Sequence, residues 1–135
     1  GVDIILDNVV STRNRLFNKF YEIYQKNFEK NCKKDLYCSI KFLFKKNIIH
    51  GDALSFKTKK NKPIIFSQWS LINDKIKRRD FSYEHLLAYA PYEEGTLFSD
   101  LGDKVSIPSA VKDFPPINFL KVFDQGKNII TIQTY

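Results

Sequence analysis

The chain has 135 residues, 43% of them hydrophobic and 27% charged, with a net charge of +7. That is enough apolar content for one core and too much for a disordered tail, and no run approaches the roughly eighteen apolar residues of a membrane span. Twelve Phe, seven Tyr and one Trp, against no Met, point to a core built on large rings.

Charge is unevenly spread. Residues 1–79 hold 18 Lys and Arg against 7 Asp and Glu, whereas residues 80–135 hold 4 against 8. A basic first part joined to a mildly acidic second part suits an anionic partner, or attraction between the parts or to a neighbouring subunit. Lys, Asn, Ile and Phe are also the residues that AT-rich coding enriches together, with no function implied. Residues 1–135 read as a single domain, and Gly1 in place of a starting Met reads as a piece of a longer protein. Cys32 and Cys38 form no CxxC pair and have no further cysteines to complete a zinc site. Reduced thiols in a cytoplasmic protein are the reading that fits.

From Asp7 to Asn31, Val9, Val10, Leu16, Phe17, Phe20, Ile23, Tyr24 and Phe28 recur at spacings that predict a long amphipathic helix, interrupted in its stripe by Arg13. Asp7, Ser11 and Thr12 are its candidate caps. LYCSIKFLF, Leu36 to Phe44, is aromatic, β-branched and partly alternating, and reads as a strand. Ala53–Lys57 and Pro63–Trp69 flank the lysine-rich KTKKNKP and read as a hairpin around it. Ser70–Ala90 reads as two short helices, with Ser82 as a cap and Pro91 as a stop. Pro91–Pro116 is broken by Gly and Pro into loop, with one short helix over Thr96–Leu101. Phe119–Phe123 and Asn128–Tyr135 flank DQGK as a terminal hairpin. These elements predict an α+β fold: an antiparallel sheet of about five or six strands with the long N-terminal helix packed on one face.

The chemistry-bearing positions are few. His50 and Asp52 bracket Gly51, a pair able to ligate a metal or orient an imidazole base, yet neither a further ligand nor a nucleophile stands at a recognisable spacing. A turn before a strand accounts for the same residues. Glu93, Glu94, Asp100 and Asp103, with Lys104 or Lys112 beside them, resemble a magnesium cluster for phosphodiester cleavage, but no ExK triplet accompanies them. The sequence nominates no catalytic residue, metal ligand or cofactor, and favours a binding protein over an enzyme. Phosphate-loop, dinucleotide and GxSxG signatures are missing from it.

Two binding readings remain. Trp69, with Tyr83, Tyr89 and Tyr92, is the candidate lining of a small-ligand pocket. Lys57, Lys59, Lys60 and Lys62, together with Lys75, Lys77, Arg78 and Arg79 of KIKRR, are the candidate contacts to a phosphate-bearing ligand or a nucleic acid, with aromatic strands between them. RNA- and DNA-binding signatures are not recognisable. The amphipathic helix adds a third partner, a second copy of the chain across its apolar stripe. No membrane partner is implied.

In the order of its segments the chain resembles the GAF class of small-ligand sensory domains. The resemblance rests on the helix VVSTRNRLFNKFYEIYQKNF, the strands CSIKFLF and DALSFK, the segment EEGTLFSDLGDKV and the late IITIQTY. It implies an antiparallel sheet with helices on one face and a ligand pocket on the other, and hence a regulatory domain. The bilin-tethering cysteine and the cyclic-nucleotide signature of that class are not recognisable, so the resemblance names no ligand.

Overall fold

The structure, a computed structural model, describes residues 1–94 and 109–126, with the side chains of 1–88 and 109–126. The long N-terminal helix is there: α1 spans Leu6–Phe28 and ends in a 3-10 turn, Glu29–Asn31. None of the expected caps starts it. The carboxylate of Asp3 instead accepts from the Ile5 amide at 2.7 Å and from Asn8 Nδ2 at 3.0 Å, and these bonds hold its pKa below the ordinary value. α2, Lys34–Asn47, folds back against α1. Tyr37 is the centre of that contact, with Phe17, Phe20, Tyr21 and Tyr24 around it at ring separations of 5.2 to 6.4 Å, and its hydroxyl accepts from Gln25 Nε2.

Arg13, the odd residue in the apolar stripe, has a structural task. Its guanidinium donates to the carbonyl of Ile48 and, at 3.3 Å, to that of Lys45, at the C-terminal end of α2. A cation is favoured there because the last carbonyls of a helix are unpaired and carry its negative pole. Arg13→Ala is expected to cost about 1.5–3 kcal/mol in urea unfolding, the range for hydrogen bonds to a charged group.

Seven short strands among the described residues make two sheets rather than one. In the smaller, β1 (Val2–Asp3) runs parallel to β2 (Ile49–Asp52), which pairs antiparallel with β3 (Lys57–Thr58). In the larger, β4 (Ile65–Ile72) and β5 (Lys75–Ser82) form a hairpin, and β6 (Lys112–Asp113) and β7 (Ile117–Asn118) both pair with the far edge of β5. α3, Tyr83–Glu94, follows β5 directly, and a second 3-10 turn, Phe119–Lys121, follows β7. Ile64 and Val122, at 0% exposure, and Val9, Ile76, Phe81 and Phe114 form the apolar core. The fold is α+β, with α2 lying between α1 and the large hairpin.

Four sequence expectations are corrected. LYCSIKFLF is helix α2, not a strand, because it is covered on two sides: Tyr37 meets α1 while Phe42 meets Trp69 of β4. With little of it left polar, the helical period is hidden. The first of the two helices expected over Ser70–Ala90 is instead the β4–β5 hairpin. Its two-residue turn is Asn73–Asp74, where Asn73 has a φ of 57°, a left-handed conformation that Asn tolerates better than most residues. The second helix is α3. Phe119–Phe123 is turn and 3-10 helix rather than a strand, and the expected helix Thr96–Leu101 and strand Asn128–Tyr135 lie outside the described residues. Within KTKKNKP the turn is 59–61, closed by Thr58 N to the Lys62 carbonyl at 2.8 Å, while Lys57–Thr58 is β3 and Ala53–Phe56, expected as strand, is turn.

Candidate functional site

Along β5, Ile76, Arg78 and Asp80 are buried while Lys75, Lys77 and Arg79 lie on the other face. The alternation is that of a strand, but two of its three inward residues are charged. Asp80 satisfies Arg78 through Nε at 2.9 Å and NH2 at 2.8 Å, and also accepts from Ser67 Oγ at 2.6 Å. Three rings enclose the guanidinium, with Phe114 4.0 Å from it, Phe42 5.6 Å and Trp69 5.7 Å. Asn47 Nδ2, at the end of α2, bonds the Ser67 carbonyl at 2.8 Å and ties that helix to β4. Lys46 stands at the edge of this cluster, and burial, with the neighbouring Arg78 charge next, lowers its pKa.

Next to the Arg78 cluster lies a cavity of about 330 Å³. α2 contributes Leu36, Ser39, Ile40 and Leu43; the hairpin contributes Trp69, Leu71 and Ile76; Phe119 and Val122 close it from the C-terminal turn. These residues sit together because of period. On α2 the four are spaced three, one and three apart, which is one helix face, and on β4 Trp69 and Leu71 are two apart, which is one sheet face. The lining is apolar, and two side-chain polar atoms of lining residues are buried with almost no accessible surface. Ser39 Oγ, on a residue only 2% exposed, and Trp69 Nε1 have no hydrogen-bond partner among the described residues. A buried polar group left in that state costs about 1–3 kcal/mol.

A second cleft, about 430 Å³, is bordered by Ile4, His50, Asp52, Lys57, Lys59 and Asn61. It is the larger, and its His50 and Asp52 are already engaged. Asp52 Oδ1 accepts from the Leu54 amide at 2.9 Å, and His50 Nε2 lies 2.9 Å from the Ile4 carbonyl. His50 and Asp52 thus stand on strand β2, with the Asp52 carboxylate bonded into the turn that follows it. Among the described residues no group of three or more His, Cys, Asp or Glu is placed to hold a metal ion, and Glu93, Glu94, Asp100, Asp103 and Lys104 lie outside those with described side chains.

Of the expected pocket residues, Trp69 and Tyr83 have different surroundings. Trp69 faces α2, whereas Tyr83 packs on Phe56 and Phe66, with ring separations of 5.6 and 5.1 Å. The side chains of Tyr89 and Tyr92 are outside the described residues. The basic residues are divided as well. Arg78 is internal, Lys77 pairs with Asp113 and the Phe114 carbonyl, and Arg79 Nε lies 3.9 Å from Asp113. Lys57 to Lys62 lead into the Ile65 end of the large hairpin and Lys75 stands at the Ile72 end, about 23 Å away at the usual rise per strand residue. Ser39, Leu36, Ile40 and Leu43 were hidden from sequence reasoning by the assignment of α2 as a strand. Their signal was a helix with Asp35 in its first turn and Lys45 and Lys46 in its last.

No family model matches this chain, and no curated protein or solved structure emerges as similar to it. Among the described residues no helix is long and apolar enough to cross a membrane.

Proposed function

We propose that this chain is a regulatory binding domain that takes a small, largely apolar molecule into the cavity between α2, the β4–β5 hairpin and the C-terminal turn. The observation that supports this reading is a cavity of about 330 Å³ whose lining is almost wholly apolar. Ligand sites are mostly apolar with a few placed polar groups, and about 330 Å³ lies at the small end of their range. The regulatory part of the reading comes from the third wall. Val122 lines the cavity, and Gln125, three residues on, accepts from Arg78 NH1 at 3.5 Å, so occupancy bears on the C-terminal turn and the charge cluster together. The GAF resemblance adds little to this. CSIKFLF is helix, DALSFK is largely turn, and most of the remaining two segments lies outside the described residues.

Ethylbenzene is a suitable probe, and Trp69, the single tryptophan, is a built-in reporter. Titration is expected to give a saturable change in Trp69 emission, a rise in thermal midpoint, and slower amide exchange at Gln125, whose N–H bonds the Val122 carbonyl at 3.1 Å. An emission spectrum that stays constant up to the solubility limit would remove the reading.

A second reading, association with another copy of the chain, has its own observation. Leu16, Ile23 and Phe28 of α1 are 40, 49 and 54% exposed, and the first two stand seven apart, on one line of the helix. Phe20 and Tyr24, by contrast, stack on each other and pack on Tyr37 within the fold. Changing Leu16 and Ile23 to Glu is therefore expected to leave a folded monomer, whereas Tyr24→Glu destabilises the α1–α2 contact. Sedimentation of the double variant beside the unaltered chain checks this, and identical mass for both would count against a seam on α1.

A further inference from the structure

We propose that the outer edge of β4 is an interface, and that its partner is the same edge on a second copy of this chain, paired antiparallel about Ser70. The proposal goes beyond the cavity reading and does not depend on it. In an antiparallel ladder, successive residues bond alternately to the strand on one side and to whatever lies on the other. On β5 the residues turned away from β4 are visible directly, since the carbonyls of Arg78 and Asp80 accept from the amides of Phe114 and Val111 at 3.0 and 2.8 Å. Their partners across the hairpin, Trp69 and Ser67, are therefore residues of β4 whose own backbone groups point outward. Ser67 bears this out: Asn47 Nδ2 donates to its carbonyl at 2.8 Å, and its amide donates to Asn47 Oδ1 at 3.3 Å. Asn47 thus closes the edge at Ser67. By the same alternation Trp69 and Leu71 present the next outward N–H and C=O groups, and among the described residues nothing bonds them on that side.

That edge lacks the features that keep an edge strand single. β4 is eight residues long, and Ile65–Ile72 contains no charge, proline or glycine in a chain that is 27% charged. Leu71 and Ile72, on its two faces, are 76 and 50% exposed. The pattern of open groups selects the partner. A two-fold pairing centred on Ser70 sets Trp69 opposite Leu71 of the other copy and Leu71 opposite its Trp69, so that each open residue exchanges both of its backbone hydrogen bonds. A centre on Trp69 or on Leu71 would instead set an open residue against the occupied Ser67 or against the turn at Asn73. The exposed Leu71 then lies beside a tryptophan, an aliphatic–aromatic cross-strand pair. Charge permits this arrangement. Lys75, Lys77 and Arg79 of the two copies stand three strand spacings apart, about 14 Å, beyond the roughly 8 Å over which charges act at physiological salt. A foreign strand would find no charged side chain on β4 to select it.

Sedimentation velocity on the full chain is expected to show the mass of one chain at low concentration and of two at high. Leu71→Lys puts a charge on the edge, and Leu71→Pro removes an N–H that points away from β5, leaving the hairpin ladder intact. Each is expected to raise the dimer dissociation constant at least about tenfold. Leu71 is exposed, so Leu71→Lys should keep the urea midpoint of the parent and the comparison holds even if Leu71→Pro does not fold. Ser70→Cys is expected to link two chains through a disulfide on mild oxidation, because residues opposite each other at a non-bonded position have Cα atoms about 4.5 Å apart. Gln68→Cys, which faces Ile72 of the other copy, should not, and the unaltered chain with Cys32 and Cys38 is the control. Amide exchange at Trp69 and Leu71 should slow as concentration rises. The mass of a single chain at every concentration, parental association by Leu71→Lys, or equal linking through Gln68→Cys and Ser70→Cys overturns the proposal. So does exchange at Trp69 and Leu71 that is slow at every concentration, which would mean that another part of the same chain covers the edge. Association through α1 alone gives the reverse pattern, monomers from the Leu16 and Ile23 double variant and parental association from Leu71→Lys, and also overturns it.

Discussion

Replacing Arg78 with alanine is expected to cost about 3–5 kcal/mol of folding stability in urea unfolding, the range for breaking one side of a buried ion pair. The loss comes less from the missing attraction than from what remains. Asp80, itself 7% exposed, would keep only Ser67 Oγ as a side-chain partner, and Phe114 would face the space left by the guanidinium. Lys75→Ala, three residues earlier in the same basic run but exposed, should stay within about 0.5 kcal/mol of the parent. The contrast matters for function. If KIKRR were one solvated patch for an anion, both variants would fold equally well and differ only in binding. Replacing Arg78 and Asp80 together by Met and Leu should recover much of the loss, since an apolar pair removes both desolvation penalties at once.

Ser39→Leu is expected to act in the opposite direction, stabilising the chain by about 1–3 kcal/mol while weakening ethylbenzene binding at least about tenfold. Three terms point the same way. The substitution removes a buried hydroxyl that has no partner among the described residues, adds apolar surface inside a cavity of about 330 Å³, and replaces serine with a better helix former in α2. A change that raises stability and removes binding is the mark of a residue kept for function at a cost to the fold. Urea midpoints with and without ethylbenzene measure both effects in one series. If Ser39→Leu destabilises the chain, the cavity does not have room at that position, and Ser39 belongs to ordinary close packing.

What the sequence made legible follows from how strongly one pattern dominated each segment. α1 has a largely exposed polar face and an apolar stripe, so its period stood out. In α2 two faces are covered, by α1 and by the hairpin, and the same Leu, Ile and Phe residues satisfied a strand pattern equally well. β5 failed for the reverse reason. Its inward positions, Ile76, Arg78 and Asp80, include two charges that compensate each other, so no apolar alternation was present to find. Asn73–Asp74 was the available signal, a turn pair between two runs rich in β-forming residues. Trp69 was recognisable as a pocket residue because it was the only Trp. Its partners were not, since Ser39 and Leu43 depend on the helical assignment of α2, and Phe119 and Val122 come from a distant part of the chain.

Binding in the cavity is tested most directly by intermolecular nuclear Overhauser effects between ethylbenzene and methyl-labelled protein. Contacts are expected from the aromatic protons of the probe to methyls of Leu36, Ile40 and Leu43 on α2, Ile76 on β5 and Val122 in the C-terminal turn, because these enclose the cavity from three sides. Contacts confined to Leu16 and Ile23 on the outer face of α1, or to no methyl at all, would contradict the account.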